Sequence, residues 1–420
     1  EITIKIESSE MLIKNLRILD PATEKDCIGE LNIEGSRIPT LPQLSDGSYD
    51  GSGYIVMPGL VDIHTHFREP GATDSETIAT GMAAAIAGGF SIVTTMPNTT
   101  PAADSEDVLR FQIDEANKYS EGLVTLYPTA CCTKGRAGKE AVNPAELPSA
   151  IAFTDDGNYV MPDEAMYKIA EDCKALNKVV MDHAVVPSIV NGGVMRKCQA
   201  CEGEKIFPDA AEVEAVKRDI EVARKTGCRM HIQHLSCAEA VDVIAKAQAE
   251  GVSITAEATP HHLMLAAEQI PDASASNWKM NPPLGLESDV VALRKGVLDG
   301  TICCFATDHA PHSAQKKEGG FAKAMFGIIG LETAAPASWT AMVTEAGMSP
   351  IEWCKCWTVR PAALLNISIP SLFDNGSTTV AFLKEEEWQF SEADIASKSH
   401  NTPFIGSTFT LRVAGIGRTV

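Results

Sequence analysis

Asp209-Ala-Ala-Glu-Val-Glu-Ala-Val-Lys-Arg-Asp-Ile-Glu-Val-Ala-Arg-Lys-Thr-Gly-Cys-Arg-Met-His-Ile-Gln-His-Leu235 is the stretch that decides the fold. Over 209–226 the residues Ala, Val and Ile recur at three- and four-residue spacing, the stripe of an amphipathic helix, and Gly227 is the residue type that closes one. The run 230–235 is short and sets apolar Met230, Ile232 and Leu235 among polar residues, which reads as a strand. The same unit follows at once, with a helical pattern over 237–250, Gly251 as its stop and a strand over 252–258. Strands separated by helices of this length run parallel.

Read outward in both directions, the rhythm continues. Strand patterns lie at 60–66, 90–96, 123–130, 150–155, 179–183 and 302–308, with a further helical stripe over 163–177. With the two already named, that makes eight strand and helix units between residue 60 and about residue 350, the requirement of a (β/α)8 TIM-like barrel. The ends read differently. Short strands at 11–19 and 27–33, punctuated by Gly and Asp, are matched in style by 378–383 and 408–413. The expected architecture is therefore an α/β chain. Residues 57–360 form the barrel, and a small β-sandwich domain is assembled from 11–56 and 361–420. Met11-Leu-Ile-Lys-Asn-Leu-Arg-Ile18 looks like a natural start, and residues 1–10 read as a leader.

Composition narrows the function. The 420 residues are 45% hydrophobic, enough for a large core, and 35 basic against 56 acidic residues give a net charge of -21. Such a surface repels phosphate backbones and anionic membranes, so neither nucleic acid nor membrane is an expected partner. Apolar runs such as 82–87 break long before the roughly 18 residues a membrane span needs. Twelve cysteines spread along a long chain point to a reducing cytoplasm. Cys198 and Cys201 have half of a zinc-ribbon spacing with no second half, and Cys131, Cys132, Cys303 and Cys304 read as core.

Nine of the ten histidines lie between residues 64 and 312, most of them at or just past the ends of proposed strands. Strand C-termini surround the active site of a barrel. Asp62-Ile-His-Thr-His66 puts two imidazoles at i and i+2, on one side of a strand. Asp155-Asp156, His183, His231, His234 and Thr307-Asp308-His309 close further strands. Imidazole and carboxylate without paired thiolates suit zinc, and two histidine pairs with acids allow two ions sharing an oxygen ligand. Of Asp155 and Asp156 only one can face the axis, since neighbours on a strand point oppositely.

Pro58-Gly-Leu-Val-Asp-Ile-His-Thr-His-Phe-Arg-Glu-Pro-Gly71, Met96-Pro-Asn-Thr99, Phe153-Thr-Asp-Asp-Gly157, Ala258-Thr-Pro-His-His262 and Met280-Asn-Pro-Pro-Leu284 go further. So do Ala306-Thr-Asp-His-Ala-Pro-His312, Phe326-Gly-Ile-Ile-Gly-Leu-Glu332 and Ala396-Ser-Lys-Ser-His-Asn-Thr-Pro-Phe-Ile-Gly406. Together they resemble the class I dihydroorotases of the amidohydrolase superfamily. The resemblance implies reversible, zinc-dependent hydrolysis of the cyclic amide of (S)-dihydroorotate to N-carbamoyl-L-aspartate in pyrimidine biosynthesis. It assigns His64, His66 and Asp308 to one metal, His183 and His234 to a second, and Asp156 to the bridge; His231 becomes a supporting residue. Asp308 would also serve as general base and then general acid. Arg68 would hold the substrate carboxylate, with Asn98, Asn281 and His312 completing the pocket and Phe326 and Gly327 adding backbone contacts. Many superfamily members bridge their metals with a carboxylated lysine on strand four, but 141–167 contains no lysine. An aspartate is shorter, so one or two ions are expected. The polar connection 310–326 would lie over the site or remain a solvated loop. Two rivals share features with this reading: a hydantoinase or allantoinase, and a non-catalytic subunit beside aspartate carbamoyltransferase. A homodimer is also compatible with the family.

Overall fold

The structure, a computed structural model, describes residues 10–420; the leader expected at residues 1–10 lies, but for its last residue, outside them. Among the described residues thirteen strands run in chain order: β1 Met11–Asp20, β2 Lys25–Arg37, β3 Tyr49–Asp50, β4 Tyr54–Pro58, β5 Leu60–Thr65, β6 Phe90–Thr95, β7 Thr125–Pro128, β8 Val180–Asp182, β9 Met230–Ile232, β10 Ile254–Ala258, β11 Cys304–Phe305, β12 Thr379–Gln389 and β13 Thr408–Thr419. Strands β5 to β11 are short and parallel, and every residue of β5 is buried. They pair in two runs, β5-β6-β7 and β8-β9-β10-β11.

Between the runs falls the segment expected as the fourth strand. It is reduced to parallel bridges of Phe153 with Ala130 on one side and Val180 on the other. Backbone bonds carry the pairing a little further, from Ile151 to Pro128, from Ala130 to Ala152 and from Thr154 to Ala130, before the chain turns at Asp156-Gly157. Past β11 the chain bridges back to β5 through Thr65 and His309, again parallel. Asp62 seals that seam, accepting from the Thr307 amide at 3.0 Å and its hydroxyl at 2.5 Å.

Helices follow the strands where the periodicity places them. Ala210–Thr226 buries Val213, Val216, Ile220 and Ala223 and closes at Gly227, whose φ of 68° returns its amide to the Ala223 carbonyl. Helix Ala238–Ala249 buries Ala240, Val241, Ile244 and Ala247 in the same way. Cys131, Cys132 and Cys304 are buried in the core, as expected of them; the side chain of Cys201 lies outside the described part. No helix among the described residues is long and apolar enough to cross a membrane.

Deep in the core, the indole N–H groups of Trp353 and Trp357 both donate to the Ser338 hydroxyl, at 3.0 and 2.9 Å, while that hydroxyl donates to the Ala334 carbonyl. One oxygen thus satisfies two buried donors. Ser338→Ala should leave both unpaired, cost about 2 kcal/mol or more, and lower the thermal unfolding temperature without touching the active site.

The chain's two ends meet, but not as a sandwich. Their strands form one six-stranded sheet, β2-β13-β12-β4-β1-β3, in which β1 also pairs with β2, so the pairing path from β1 returns to itself. Long strands with irregular register at Ile13/Leu16, Phe382/Leu383 and Ile416/Arg418 supply the coiling that two flat stacked sheets would lack. Ile13, Leu16, Ile18, Val56, Val380 and Phe382 cluster on this sheet.

Candidate active site

Each proposed ligand sits at a strand's C-terminal end. His64 is on β5 and His66 one residue past it; His183 directly follows β8, His234 comes two residues after β9, and Asp308 three after β11. Asp156 stands three residues beyond the Phe153 bridge. His234 and Asp308 adopt positive φ, 34° and 46°, a strained choice for residues with side chains and one that re-aims them at a strand end.

The six side chains converge. His66 Nε2 lies 3.0 Å from Asp308 Oδ1 and 3.4 Å from Asp156 Oδ2. His64 Nε2 lies 3.3 Å from Asp308 and 3.4 Å from Asp156. Asp156 also faces His183 Nδ1 at 3.6 Å and His234 Nε2 at 4.0 Å, so this one carboxylate touches all four imidazoles. Asp155 points away and accepts from the Thr133 amide and hydroxyl, as strand alternation requires.

The donors fit a divalent cation. Ligand atoms of His64, His66 and Asp308 lie within 4.8 Å of one another, and so do those of His64, Asp156 and His234. The second grouping uses His64 where the family reading uses His183; His183 Nδ1 instead lies 2.8 Å from His234 Nε2. Tautomers are set from outside the cluster. His64 Nδ1 donates to Glu257 at 2.7 Å and His66 Nδ1 donates to the Asn98 carbonyl oxygen at 2.9 Å, which leaves each Nε2 with a lone pair facing inward. His64 Nε2 is buried without a hydrogen-bond partner, an orphan that a cation would satisfy. Burial opposes the charged form of Asp156, yet the surrounding imidazoles, His64 foremost, hold it well below the usual carboxylate range. Burial likewise works against a charged His64, and Asp308, Asp156 and Glu257 together raise it above the ordinary histidine value.

A cavity of about 240 Å³ opens beside this cluster, lined by Arg68, Asn98, Asn281, His312 and Phe326 with every proposed ligand except His64. Arg68 donates from Nε to the Pro311 carbonyl at 3.1 Å, and its Nη2 lies 3.3 Å from His312 Nε2. Asn281 donates to His183 Nε2 at 3.2 Å. His312 Nε2 donates to the Phe326 carbonyl at 2.8 Å. Gly327 does not line the cavity but supports it: at its φ of 157° an added Cβ would stand 2.4 Å from the Ala310 carbonyl. The connection 310–326 is packed down. Lys317 is buried and donates to the carbonyls of Lys279, Met325 and Gly327, while Phe321 fills the core.

Several contributors escape a reading by strand ends. Glu257, in mid β10, receives both His64 and His231 Nε2, the latter at 3.0 Å, which makes His231 a support for a support. Its signal was an acid inside an apolar strand, rare without a partner. Asn401 accepts from the His312 amide at 3.0 Å and donates to the Ala310 and Gly327 carbonyls, tying two pocket loops together from the C-terminal segment. Arg136 also lines the cavity.

Similarity to known proteins points to one family. A family described as dihydro-orotase-like matches residues 53–240. The dihydroorotase of Elusimicrobium minutum is 38% identical over 404 residues, covering 94% of this chain and 93% of that protein. The dihydroorotase of Listeria monocytogenes is 37% identical over 411 residues, covering 94% of each. Among solved structures, the L-hydantoinase (dihydropyrimidinase) of Arthrobacter aurescens superposes with a TM-score of 0.81 at 22% identity, covering 96% of this chain and 93% of that one. The dihydropyrimidinase of Brevibacillus agri reaches 0.78 at 18%, with the same coverage. At such identities these two establish the fold alone.

Proposed function

The chain belongs to the dihydroorotase family, and from that membership we propose that it hydrolyses the ring amide of (S)-dihydroorotate reversibly to N-carbamoyl-L-aspartate, a step of pyrimidine biosynthesis. The observation that carries the proposal is the convergence of His64, His66, His183 and His234 on two carboxylates, next to a cavity lined by the half-buried Arg68.

His64, His66 and Asp308 would hold one zinc ion and His183 and His234 a second, with Asp156 shared between the two sites. Bound there, zinc supplies Lewis acidity to the ring carbonyl and activates water. The protein's own groups do the rest. Asp308, lining the cavity, takes the proton from the attacking water and returns it to the departing ring nitrogen. Arg68, with Asn98, Asn281 and His312, binds the carboxylate and orients the ring; Phe326 forms part of the wall and Gly327 supports it from behind.

The same reading extends to the architecture. The parallel pairings and the bridges at Phe153 and Thr65 support a closed (β/α)8 barrel over 57–360, and the mixed sheet supports a small domain from 11–56 and 361–420. Free buried cysteines such as Cys132 and Cys173 support a cytoplasmic setting. Association with a second copy, or with aspartate carbamoyltransferase, is checked by sedimentation of the chain alone and mixed with that enzyme.

The test is a dihydroorotate hydrolysis assay with elemental metal analysis of the same sample. Turnover of hydantoin or allantoin in preference to dihydroorotate, or no turnover by a metal-loaded sample, would overturn the reading. Arg68→Met should raise KM for dihydroorotate about 10- to 100-fold, the worth of a charge-assisted carboxylate pair, with metal retained. Loss of metal together with affinity would make Arg68 a structural residue.

A further inference from the structure

Arg68 is not the cavity's only guanidinium. Arg136 also lines it, from the short turn Lys134–Arg136 that follows β7. That turn is held firmly. The Gly135 amide donates to Asp104 at 2.6 Å, and Asn158 Nδ2 donates to the Arg136 carbonyl at 2.7 Å. Arg136 itself has a φ of 54°, a left-handed conformation that residues with side chains seldom adopt. Its Nη1 donates to the backbone carbonyl of Asp156 at 2.7 Å, and a Cβ at Gly157 would stand 3.5 Å from the same nitrogen. The guanidinium is thus presented at the Asp156 end of the cavity, whereas Arg68 is fixed by Pro311 and His312.

The two ends meet different charges, on the reading that this is a dihydroorotase. Dihydroorotate carries one carboxylate. Hydrolysis adds hydroxyl to the ring carbonyl carbon and hydrogen to the ring nitrogen, and the acid so formed ionises, releasing a proton and leaving a dianion. The new carboxylate arises where the carbonyl reacts, beside the acids Asp156 and Asp308, whose negative charge divalent cations held there would offset, and a further cation facing that end adds to its stabilisation. We propose that Arg136 is a substrate-binding residue that receives this second carboxylate, while Arg68 holds the carboxylate common to ring and open chain. Only one of its nitrogens is committed to Asp156, and a guanidinium has five N–H donors.

Because the overall equilibrium is fixed, the ratio of kcat/KM in the two directions cannot change in any variant. The readout is therefore affinity: the inhibition constant of N-carbamoyl-L-aspartate against initial-rate hydrolysis, set beside KM for dihydroorotate. Arg136→Gln keeps a donor for the Asp156 carbonyl and removes the charge. It should raise that inhibition constant at least tenfold, move KM less than threefold and leave metal content unchanged, and Arg136→Lys should recover most of the loss. If both constants rise together, or metal is lost, Arg136 only positions Asp156; if neither moves, it does not meet the substrate. Either result overturns the proposal. Failure of the unaltered, metal-loaded chain to hydrolyse dihydroorotate would instead overturn the reading on which it rests.

Discussion

Asp156→Ala should empty the metal centre and lower turnover about 1000-fold or more, the combined scale of an activated nucleophile and a polarised carbonyl. Asp156 is the one group in contact with all four imidazoles, so its loss removes the only carboxylate common to both proposed ion positions. The neighbouring Asp155→Ala provides the control. Its carboxylate is engaged by Thr133 and never reaches the cluster, so it should cost stability, about 1 to 3 kcal/mol for the orphaned donors, and leave metal content near normal. Bicarbonate during metal loading should make no difference, because an aspartate cannot lose its carboxylate as a carboxylated lysine does. Elemental analysis of both variants decides the matter: if Asp155 is the position whose loss removes metal, or bicarbonate proves essential, the bridge is misassigned even though the family stands.

What could be read from the chain alone follows how local each signal is. The helix expected over 209–226 is found at Ala210–Thr226 because its stripe and its glycine stop lie within one segment. The convergence of the proposed ligands was legible because imidazoles and acids at strand ends combine a local pattern with a chemistry that has few other uses. The fourth strand, expected over 150–155, keeps its backbone bonds from Ile151 to Thr154, but its regular ladder is cut to bridges at Phe153 because the chain turns at Asp156-Gly157. The terminal sheet was mistaken for a sandwich because pairing of β1 with both β2 and β4 depends on register across the whole chain. The supporting residues were hidden for the same reason. Asn401 meets the His312 amide across 89 residues and Glu257 meets His64 across 193.

Glu257 is where that hidden layer should have its largest effect. Its Oε1 accepts from His64 Nδ1 at 2.7 Å and from the His234 amide at 3.2 Å, and its Oε2 accepts from His231. Burial would raise its pKa, but His64 and His231 pull it down to about 2, so the group is a carboxylate acting only as acceptor. That is what fixes the His64 tautomer. In Glu257→Gln one oxygen becomes an N–H₂ donor, and an amide nitrogen facing His64 would drive the ring proton to Nε2, where the inward lone pair is needed. Metal affinity should fall about 10- to 100-fold, the usual size of losing such an orienting partner, measured by competition with a chelator. Glu257→Ala should in addition lower the stability of the metal-free protein by about 3 to 5 kcal/mol, since it strands buried partners of a charged network. His231→Ala separates orientation from packing. It removes the far side of the network and leaves the contact to His64, so metal affinity should move little. A loss as large as that of Glu257→Gln would mean that packing around β9 and β10, and not the tautomer of His64, governs the metal centre.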